Sequence, residues 1–273
     1  MNSKNPFRFL ILLTILASLL GPVAGARAQT PVPPPQVQAL LNSMTPEERV
    51  GQLFLVTFSG TISLDESQIN ELISYRNVGG VILLSENDNF VAEPDTIAAA
   101  HRLIAELQTI EWDATNADTS SSRVYAPLFV GISQEGDGFP YDQILGGMTP
   151  LPNEMAIGAT WKPENAMQVG SVAGTELSAI GFNLYLGPSL DVVESPNPSA
   201  RSDLGTRAFG GDPYWVGEMG QAYISGLHQG SNGRMIVVAK HFPGRGGSDR
   251  SPEEEVATVR KSLEQLKQVE LFP

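Results

Sequence analysis

Short apolar runs alternate with amphipathic segments along most of the chain, a pattern that predicts strands separated by helices. The apolar runs are short, as expected for strands buried in a sheet. Between them, apolar residues recur at spacings of three and four, which is typical of helices that bury one face. The predicted strands are 53–58, 78–84, 127–132, 182–186 and one that begins at Met235. The predicted helices are 46–52, 65–75, 94–110, 153–160, 163–180, 213–229 and 251–269.

Particular residue types indicate where some of the predicted helices and loops begin. Thr45 is followed by a proline and, three residues on, by Glu48, which together predict a capped helix start. Residues 113–123 are polar and include a Thr-Ser-Ser-Ser run, so they are predicted to form a surface loop. His101 falls within the helix predicted for 94–110, where we expect it to be exposed to solvent.

Strands that alternate with helices predict a parallel α/β sheet with helical crossovers. No G-x-G-x-x-G follows the first strand and no phosphate-loop lysine motif occurs, which disfavours a nucleotide-binding doubly wound sheet. Polar clusters instead follow the third, fourth and fifth strands, as in a TIM barrel, whose site is built from the loops after its strands. The prediction is therefore an α/β fold of the TIM-type (β/α) barrel class. It is incomplete, with about five or six of the eight βα units present.

The first 28 residues have the pattern of a secretory signal peptide. Lys4 and Arg8 precede an apolar run at 9–20 that is too short to span a bilayer comfortably, and Ala26-Arg27-Ala28 forms a cleavage site. An uncleaved anchor is the alternative. Residues 29–37 are predicted to be a proline-rich linker, and 38–273 the barrel domain.

The charge and the cysteine content of the chain exclude several classes of binding partner and site. The net charge is −13, and removal of residues 1–28 takes away three cations and no acids, which changes it to −16. This balance argues against nucleic acid or an anionic membrane surface as a partner. The chain has no cysteine, so a lipid-bearing cleavage site, disulfides and thiolate metal sites are excluded. We expect a secreted or periplasmic protein without a stable membrane anchor.

The candidate chemistry centres on residues 235–247, MIVVAKHFPGRGG. The apolar run fits a strand buried on both faces, and Lys240 and His241 stand at its carboxyl end, before a glycine-rich loop. Chemistry in parallel sheets is placed at this end of a strand. Alternatively, Lys240 only marks the strand edge and His241 is a core histidine with a satisfied hydrogen bond. This stretch alone does not decide between the two.

Other motifs occur with this stretch in a fixed order, from about residue 40 to the end of the chain. Together they resemble the N-terminal (β/α) barrel domain of glycoside hydrolase family 3, in its bacterial β-N-acetylhexosaminidase branch. The matching segments are 45–53, 79–83, 134–136, 187–192, 207–213, 240–244, 261–264 and 269–271.

The resemblance implies roles for individual residues. Lys240, His241 and Arg207 would donate hydrogen bonds to the hydroxyls of a sugar. Asp191 would lie near the sugar, either as a binding residue or as a carboxylate that stabilises a turn, and Glu135 is counted with the substrate-binding residues. The implied partner is a β-linked oligosaccharide or a cell-wall glycan, and no cofactor or metal is implied.

The sequence also departs from the family pattern. Ser133 stands where the family usually has an aspartate that binds sugar hydroxyls, although Asp137 is close by. Arg245 replaces a usual histidine. Glu253 falls where the branch has its acid/base histidine, so it is the candidate acid/base, with a helix-start acid as the alternative; Asp249 is a weaker candidate.

The nucleophile of the family is an aspartate after the seventh strand, which would lie beyond Pro273. A retaining glycosidase needs two carboxyl groups about 5 Å apart. The leading hypothesis is therefore the N-terminal portion of an exported retaining glycosidase that acts on terminal β-N-acetylhexosaminides or β-glucosides. The alternatives are a non-catalytic glycan-binding homologue, a fragment inactive for want of the nucleophile, and a chain completed by strands of a partner polypeptide.

Overall fold

A computed structural model describes residues 33–61, 67–116, 123–194, 204–250 and 255–273. The predicted signal peptide, the first four residues of the predicted linker and Glu253 lie outside these residues. The chain divides into two compact units, 1–39 and 40–273. Of the first unit, the described residues form only the start of helix α1 (Pro35–Ser43), which buries no side chain. No helix in the described part of the chain is long and apolar enough to cross a membrane.

The second unit is built on a five-stranded parallel sheet in which every strand pairs with the next strand in the chain. The strands are β1 (Leu55–Val56), β2 (Gly80–Ile82), β3 (Phe129–Ile132), β4 (Leu184–Ser189) and β5 (Ile236–Lys240). Sequential parallel pairing is the strand order of a (β/α) barrel wall. The predicted α/β class and the five strands are confirmed.

Helices connect the strands, and most follow the predicted pattern. They are α2 (Pro46–Gly51), α3 (Gln68–Arg76), α4 (Thr96–Asn116), α5 (Glu154–Gly158), α6 (Pro163–Ile180), α7 (Pro213–Gly230) and α8 (Leu263–Gln268), with a 3₁₀ turn at Ser85–Asn87. The capping box at α2 is present: Thr45 accepts from the Glu48 backbone, and the Glu48 carboxylate accepts from the Thr45 N–H. His101 is exposed on α4, as predicted.

The predicted loop at 113–123 is wrong over its first four residues, because α4 continues to Asn116. Tertiary contacts explain the extension. Glu111 is buried in the last turns of α4 and binds Arg123 at 2.6 Å, and Trp112 packs edge-on against Tyr125. These contacts hold the end of the helix against the segment that leads to β3. Residues 117–122 lie outside the described part.

The predicted helix at 251–269 is also wrong over 255–262. Here the backbone is extended: Val259 forms an antiparallel bridge with Ser248, and the Thr258 N–H donates to Asp249 at 2.9 Å. Because these groups already have partners, the helix starts only at α8, where Ser262 is the N-cap and forms a capping box with Gln265.

The described residues form one large apolar core between the sheet and the helices and a small second cluster of Val193, Leu204 and Ala208. The strand residues of the large core include Val81, Val130, Ile132 and Tyr185. The β5 strand was predicted to be buried on both faces, and this is wrong: Ile236 is 48% exposed and Val238 44%. The reason is that β5 pairs only with β4 among the described residues and so forms an edge of the sheet.

Candidate functional site

The loops that follow β3, β4 and β5 meet at the carboxyl edge of the sheet. Parallel pairing brings them together: Ile132 lies beside Tyr185 in the register, and Ser189 beside Lys240. The charged and polar residues proposed from the sequence are concentrated in these loops. This is the edge at which α/β folds bind ligands.

Lys240, the last residue of β5, is held by three acceptors. Its Nζ lies 2.5 Å from Glu135 Oε2, 3.0 Å from the Leu186 carbonyl oxygen and 3.2 Å from Ser133 Oγ. The Ser133 hydroxyl in turn donates to Glu135 Oε2 at 3.0 Å. The three donors of the ammonium group are therefore directed before any ligand binds. The contact with Ser133 is the longest of the three.

Glu135 lies beneath this lysine and is almost completely buried. Its Oε2 carries the ion pair with Lys240, its Oε1 is buried, and its neighbour is the carboxyl group of Glu154, the first residue of α5. Glu154 Oε1 accepts from the Ser189 N–H at 2.7 Å. Burial, followed by the charge and hydrogen bond of Glu135, raises the pKa of Glu154 well above its usual range. Glu135 therefore positions Lys240, and a direct contact of Glu135 with sugar stays a prediction.

His241 is fixed by a second buried carboxylate. Its Nδ1 lies 2.6 Å from Asp191 Oδ2, and Asp191 Oδ1 accepts from the Arg245 backbone N–H at 2.6 Å. Burial opposes ionisation of Asp191, but these hydrogen bonds and the nearby positive charges outweigh it and lower the pKa of Asp191. The carboxylate orients the imidazole ring of His241. Because this side chain is 35% exposed, the ring edge opposite Nδ1 is available to a ligand.

Arg207 belongs to the loop after β4 and is partly exposed. Its guanidinium stacks 3.7 Å above the ring of Tyr141, in the loop after β3, and its Nε donates to the Leu204 carbonyl oxygen. The adjacent Thr206 donates to Asp137 Oδ1. Two contacts thus join the loops after β3 and β4, and they place Arg207 on the same edge of the sheet as Lys240.

The loop after β3 is built around Asp142, whose role was not predicted. Its two oxygens accept from the backbone N–H groups of Glu135, Gly136 and Gly138 at 2.7–3.0 Å. Gly136 has φ +84°, and a Cβ there would lie 2.7 Å from the Pro152 carbonyl oxygen, so only glycine fits. This compact turn fixes the backbone of Glu135 and hence the ion pair above it.

Glu154 was also missed in the sequence. A glutamate that follows an asparagine N-cap at the start of a helix already has a local explanation, because acids in the first turn favour the helix dipole. Tyr141 likewise carried no signal, since its partner Arg207 is far away in the chain. Only the fold brings these pairs together.

The proposed acid/base Glu253 lies outside the described residues. The weaker candidate, Asp249, is bonded to Arg250 and to the Thr258 N–H, and Arg250 also pairs with Glu255. Asp249 is thus engaged in a surface ion-pair network. Within the described residues, no group of three histidine, aspartate or glutamate side chains is arranged to hold a metal ion.

Comparison with known proteins identifies the family of the chain that carries this site. Residues 45–273 match the glycosyl hydrolase family 3 N-terminal domain. The chain belongs to glycosyl hydrolase family 3. Among curated family 3 relatives, the β-hexosaminidase of Thiobacillus denitrificans (strain ATCC 25259 / T1) is 30% identical over 202 residues, which are 72% of this chain and 48% of the relative. The β-N-acetylglucosaminidase/β-glucosidase of Cellulomonas fimi is 29% identical over 217 residues, 78% of this chain and 32% of the relative.

Solved structures agree. A glycoside hydrolase family 3 β-N-acetylglucosaminidase from Paenibacillus sp. str. FPU-7 superposes with a TM-score of 0.71 and 31% identity, covering 84% of this chain and 39% of that one. These neighbours confirm the predicted hexosaminidase-like branch of family 3 and the TIM-type fold. The chain spans about a third to a half of the length of the curated relatives it matches.

Proposed function

We propose that this chain forms the sugar-holding part of a glycosidase that removes terminal, non-reducing N-acetylhexosamine from β-linked glycans. One observation carries the proposal. Lys240 and His241 are adjacent at the end of β5, and each is oriented by its own buried carboxylate, Glu135 at 2.5 Å and Asp191 at 2.6 Å. Fixed donors of this kind suit a ligand rich in hydroxyl groups, because their ordering cost is met before binding.

The relatives support this substrate class and a second one. The Thiobacillus protein is named a β-hexosaminidase, and the Cellulomonas protein a β-N-acetylglucosaminidase/β-glucosidase. β-Glucosides are therefore the second substrate class of the proposal. Arg207, stacked on Tyr141 at the same edge, would add a further cationic donor to the sugar.

The proposed chemistry is retaining hydrolysis. It needs a carboxylate that attacks the anomeric carbon and a group that protonates the leaving oxygen and later activates water. Glu253 remains the candidate for the second role. The family resemblance assigns the nucleophile to an aspartate after a seventh strand, and the sheet described above has five strands. The proposed enzyme therefore also needs an aspartate that lies outside this five-stranded sheet.

A second candidate function is glycan binding without turnover. Ser133 favours it, since a neutral hydroxyl that is bonded to Lys240 and Glu135 replaces the usual anchoring aspartate. Asp137 does not fill that place in this arrangement, because its Oδ1 accepts from Thr206 and its Oδ2 is buried.

Calorimetric titration of the full chain with methyl N-acetyl-β-glucosaminide and methyl β-glucoside tests both candidates. We expect Lys240→Ala and Arg207→Ala each to weaken binding about tenfold or more, since each removes a charged hydrogen bond. Lys162→Ala, at an exposed position just before α6, and Arg102→Ala, at an exposed position on α4, are the matched controls and should bind as the wild type does.

Hydrolysis of aryl β-glycosides separates the candidates when it is measured on a form of the protein that includes the proposed nucleophile, with the configuration of the sugar first released as the readout. Release with retained configuration supports the glycosidase; binding without release supports the glycan-binding protein. If neither glycoside binds, both proposals are wrong.

We also propose that the protein is exported, on the signal-peptide pattern of residues 1–28. Cleavage after Ala28 would give a mature chain that begins at Gln29. Mass spectrometry of the N terminus in the exported fraction of a producing cell tests this. A chain that keeps residues 1–28 and stays with the membrane would support the uncleaved anchor instead.

A further inference from the structure

The carboxyl group of Glu154 is completely buried beside another carboxyl group. Glu154 Oε1 accepts from the Ser189 N–H, while Glu154 Oε2 and Glu135 Oε1 are both buried, and no hydrogen-bond donor in the described part of the chain reaches either of them. Both groups lie against β4, since Glu135 Oε1 is beside Gly187 and Glu154 Oε1 is bonded to Ser189, and the charge and hydrogen bonding of Glu135 help to raise the pKa of Glu154. Two ionised carboxylates in such contact repel strongly, and neither oxygen could satisfy the other, because a carboxylate only accepts.

One proton placed between the two groups resolves this conflict. A neutral Glu154 would donate from Oε2 to Glu135 Oε1 and would still accept from Ser189 at Oε1. The other oxygen of Glu135 would keep the 2.5 Å ion pair with Lys240. Every oxygen of the pair then has a partner, which is the normal condition of buried polar atoms.

The charged groups around the pair favour placement of the shared proton on Glu154 and not on Glu135. Glu135 adds negative charge from the loop after β3, and Lys240 adds positive charge from β5 but lies against Glu135. The hydroxyls of Tyr185, on β4, and Tyr223, on α7, bond to one another at 3.1 Å, and Tyr185 donates to the Gln134 carbonyl oxygen. Glu154 therefore has no cation of its own among the described residues, whereas Glu135 has one.

We propose that Glu154 is a positioning residue that keeps a proton at neutral pH and, through it, holds Glu135 in the orientation that directs Lys240 toward the sugar. This inference rests on the proposed function. Glu154 touches no ligand itself; it connects the backbone of β4 at Ser189 to the carboxylate beneath the lysine. Loss of the proton would set two negative charges against each other and would release Glu135 from its place under Lys240.

The test compares pH profiles of sugar affinity, with methyl N-acetyl-β-glucosaminide as the probe and the full chain as the protein. Glu154→Gln keeps an N–H donor toward Glu135 and an oxygen acceptor for Ser189 but cannot lose a proton. We expect the wild type to lose affinity as the pH rises into the alkaline range, and Glu154→Gln to keep the affinity of the protonated form throughout. Glu154→Leu, which removes both donor and acceptor, should bind about tenfold more weakly than the wild type at neutral pH.

Glu164→Gln is the matched control, since Glu164 stands in the first turn of the neighbouring helix α6 but is exposed. It should keep the wild-type pH profile. Infrared spectroscopy supplies a readout that needs no ligand: the carbonyl band of a protonated carboxylic acid at neutral pH should disappear in Glu154→Gln and remain in Glu164→Gln.

Parallel pH profiles for the wild type and Glu154→Gln, or wild-type affinity in Glu154→Leu, would overturn the positioning role. Absence of the infrared band would show that Glu154 is not protonated at neutral pH. If the wild type binds no sugar while the band is present, the proposed function fails and the shared proton stands.

Discussion

Thr206 and Asp137 join the loops that follow β4 and β3. The Thr206 hydroxyl donates to Asp137 Oδ1, and the second oxygen of this carboxylate is buried without a hydrogen bond. Next to this contact, Arg207 stacks on Tyr141. The two interactions form one connection between neighbouring loops, and it includes a carboxylate that is only partly satisfied.

Replacement of Asp137 by asparagine should leave the protein as stable or stabilise it by up to about 1 kcal/mol at neutral pH. Burial raises the pKa of Asp137, and the negative charges of Glu135 and Asp142 raise it further. A raised folded-state pKa stabilises the fold below the unfolded value near 4 and loses that contribution as the pH rises through the folded value. Denaturant unfolding at pH 4–8 should show a larger loss in the wild type than in Asp137→Asn, because Glu154, whose pKa is also raised, contributes equally to both proteins. A clear loss of stability at pH 7 would mean that the charge of Asp137 holds the loops together.

Removal of the cation from the pair Lys240–Glu135 should be costly. Lys240→Met leaves a carboxylate that is 3% exposed without its counter-charge, and we expect a loss of about 3 kcal/mol in the free energy of unfolding. Glu135→Gln made in the Lys240→Met background should recover part of that loss, because a neutral amide needs no cation. A double-mutant cycle by urea unfolding measures the coupling. Additive effects of the two substitutions would show that the pair contributes nothing to the fold.

Glycines set the distance between α6 and α7. A Cβ on Gly226 would lie 2.1 Å from the Met167 carbonyl oxygen, and one on Gly170 would lie 2.2 Å from that of Tyr223. Gly226→Ala must therefore push the helices apart, and we expect a loss of about 2–3 kcal/mol in stability. Gly217→Ala, on the same helix, is the control: its Cβ would approach nothing closer than 3.4 Å, so it should be neutral or stabilising. Thermal denaturation of the two variants should give clearly different midpoints, and equal midpoints would contradict the close helix contact.

Much of the fold could be predicted because its signals are local. The capping box at Thr45 and the proline that opens α6 at Pro163 act through neighbouring residues, and the structure has both. Lys240 and His241 could be proposed as site residues because they follow an apolar run directly.

The remainder depends on residues that are distant in the sequence. Glu154 gains its meaning from Glu135 and Ser189, which lie on other elements, and its position at a helix start offered a simpler explanation. The burial of β5 could not be deduced from its composition, since an apolar strand at a sheet edge has the same sequence as one in the middle. The extended segment 255–262 similarly depends on Ser248 and Asp249, which occupy the backbone groups that a helix would use.

The pair His241–Asp191 should be visible in the acid stability of the protein. Hydrogen bonds from His241 and from the Arg245 N–H lower the pKa of Asp191 despite its burial. Because the folded-state pKa lies below the unfolded value of about 3.9, ionised Asp191 stabilises the fold above that value, and the contribution is lost as the pH falls through the folded value. Asp191→Asn should thus lose about 1–3 kcal/mol at neutral pH and show a weaker decline in stability below pH ~4.

Urea unfolding at a series of pH values between 2.5 and 7, as ~0.5-unit steps, measures both effects for the wild type and Asp191→Asn. Asp113→Asn, which changes an exposed acid on α4, is the control and should follow the wild-type curve. If Asp191→Asn declines in acid as steeply as the wild type, Asp191 does not keep its charge through its contact with His241. The imidazole would then lack the anionic partner that orients it, and the donor pair at the end of β5 would rest on Lys240 alone.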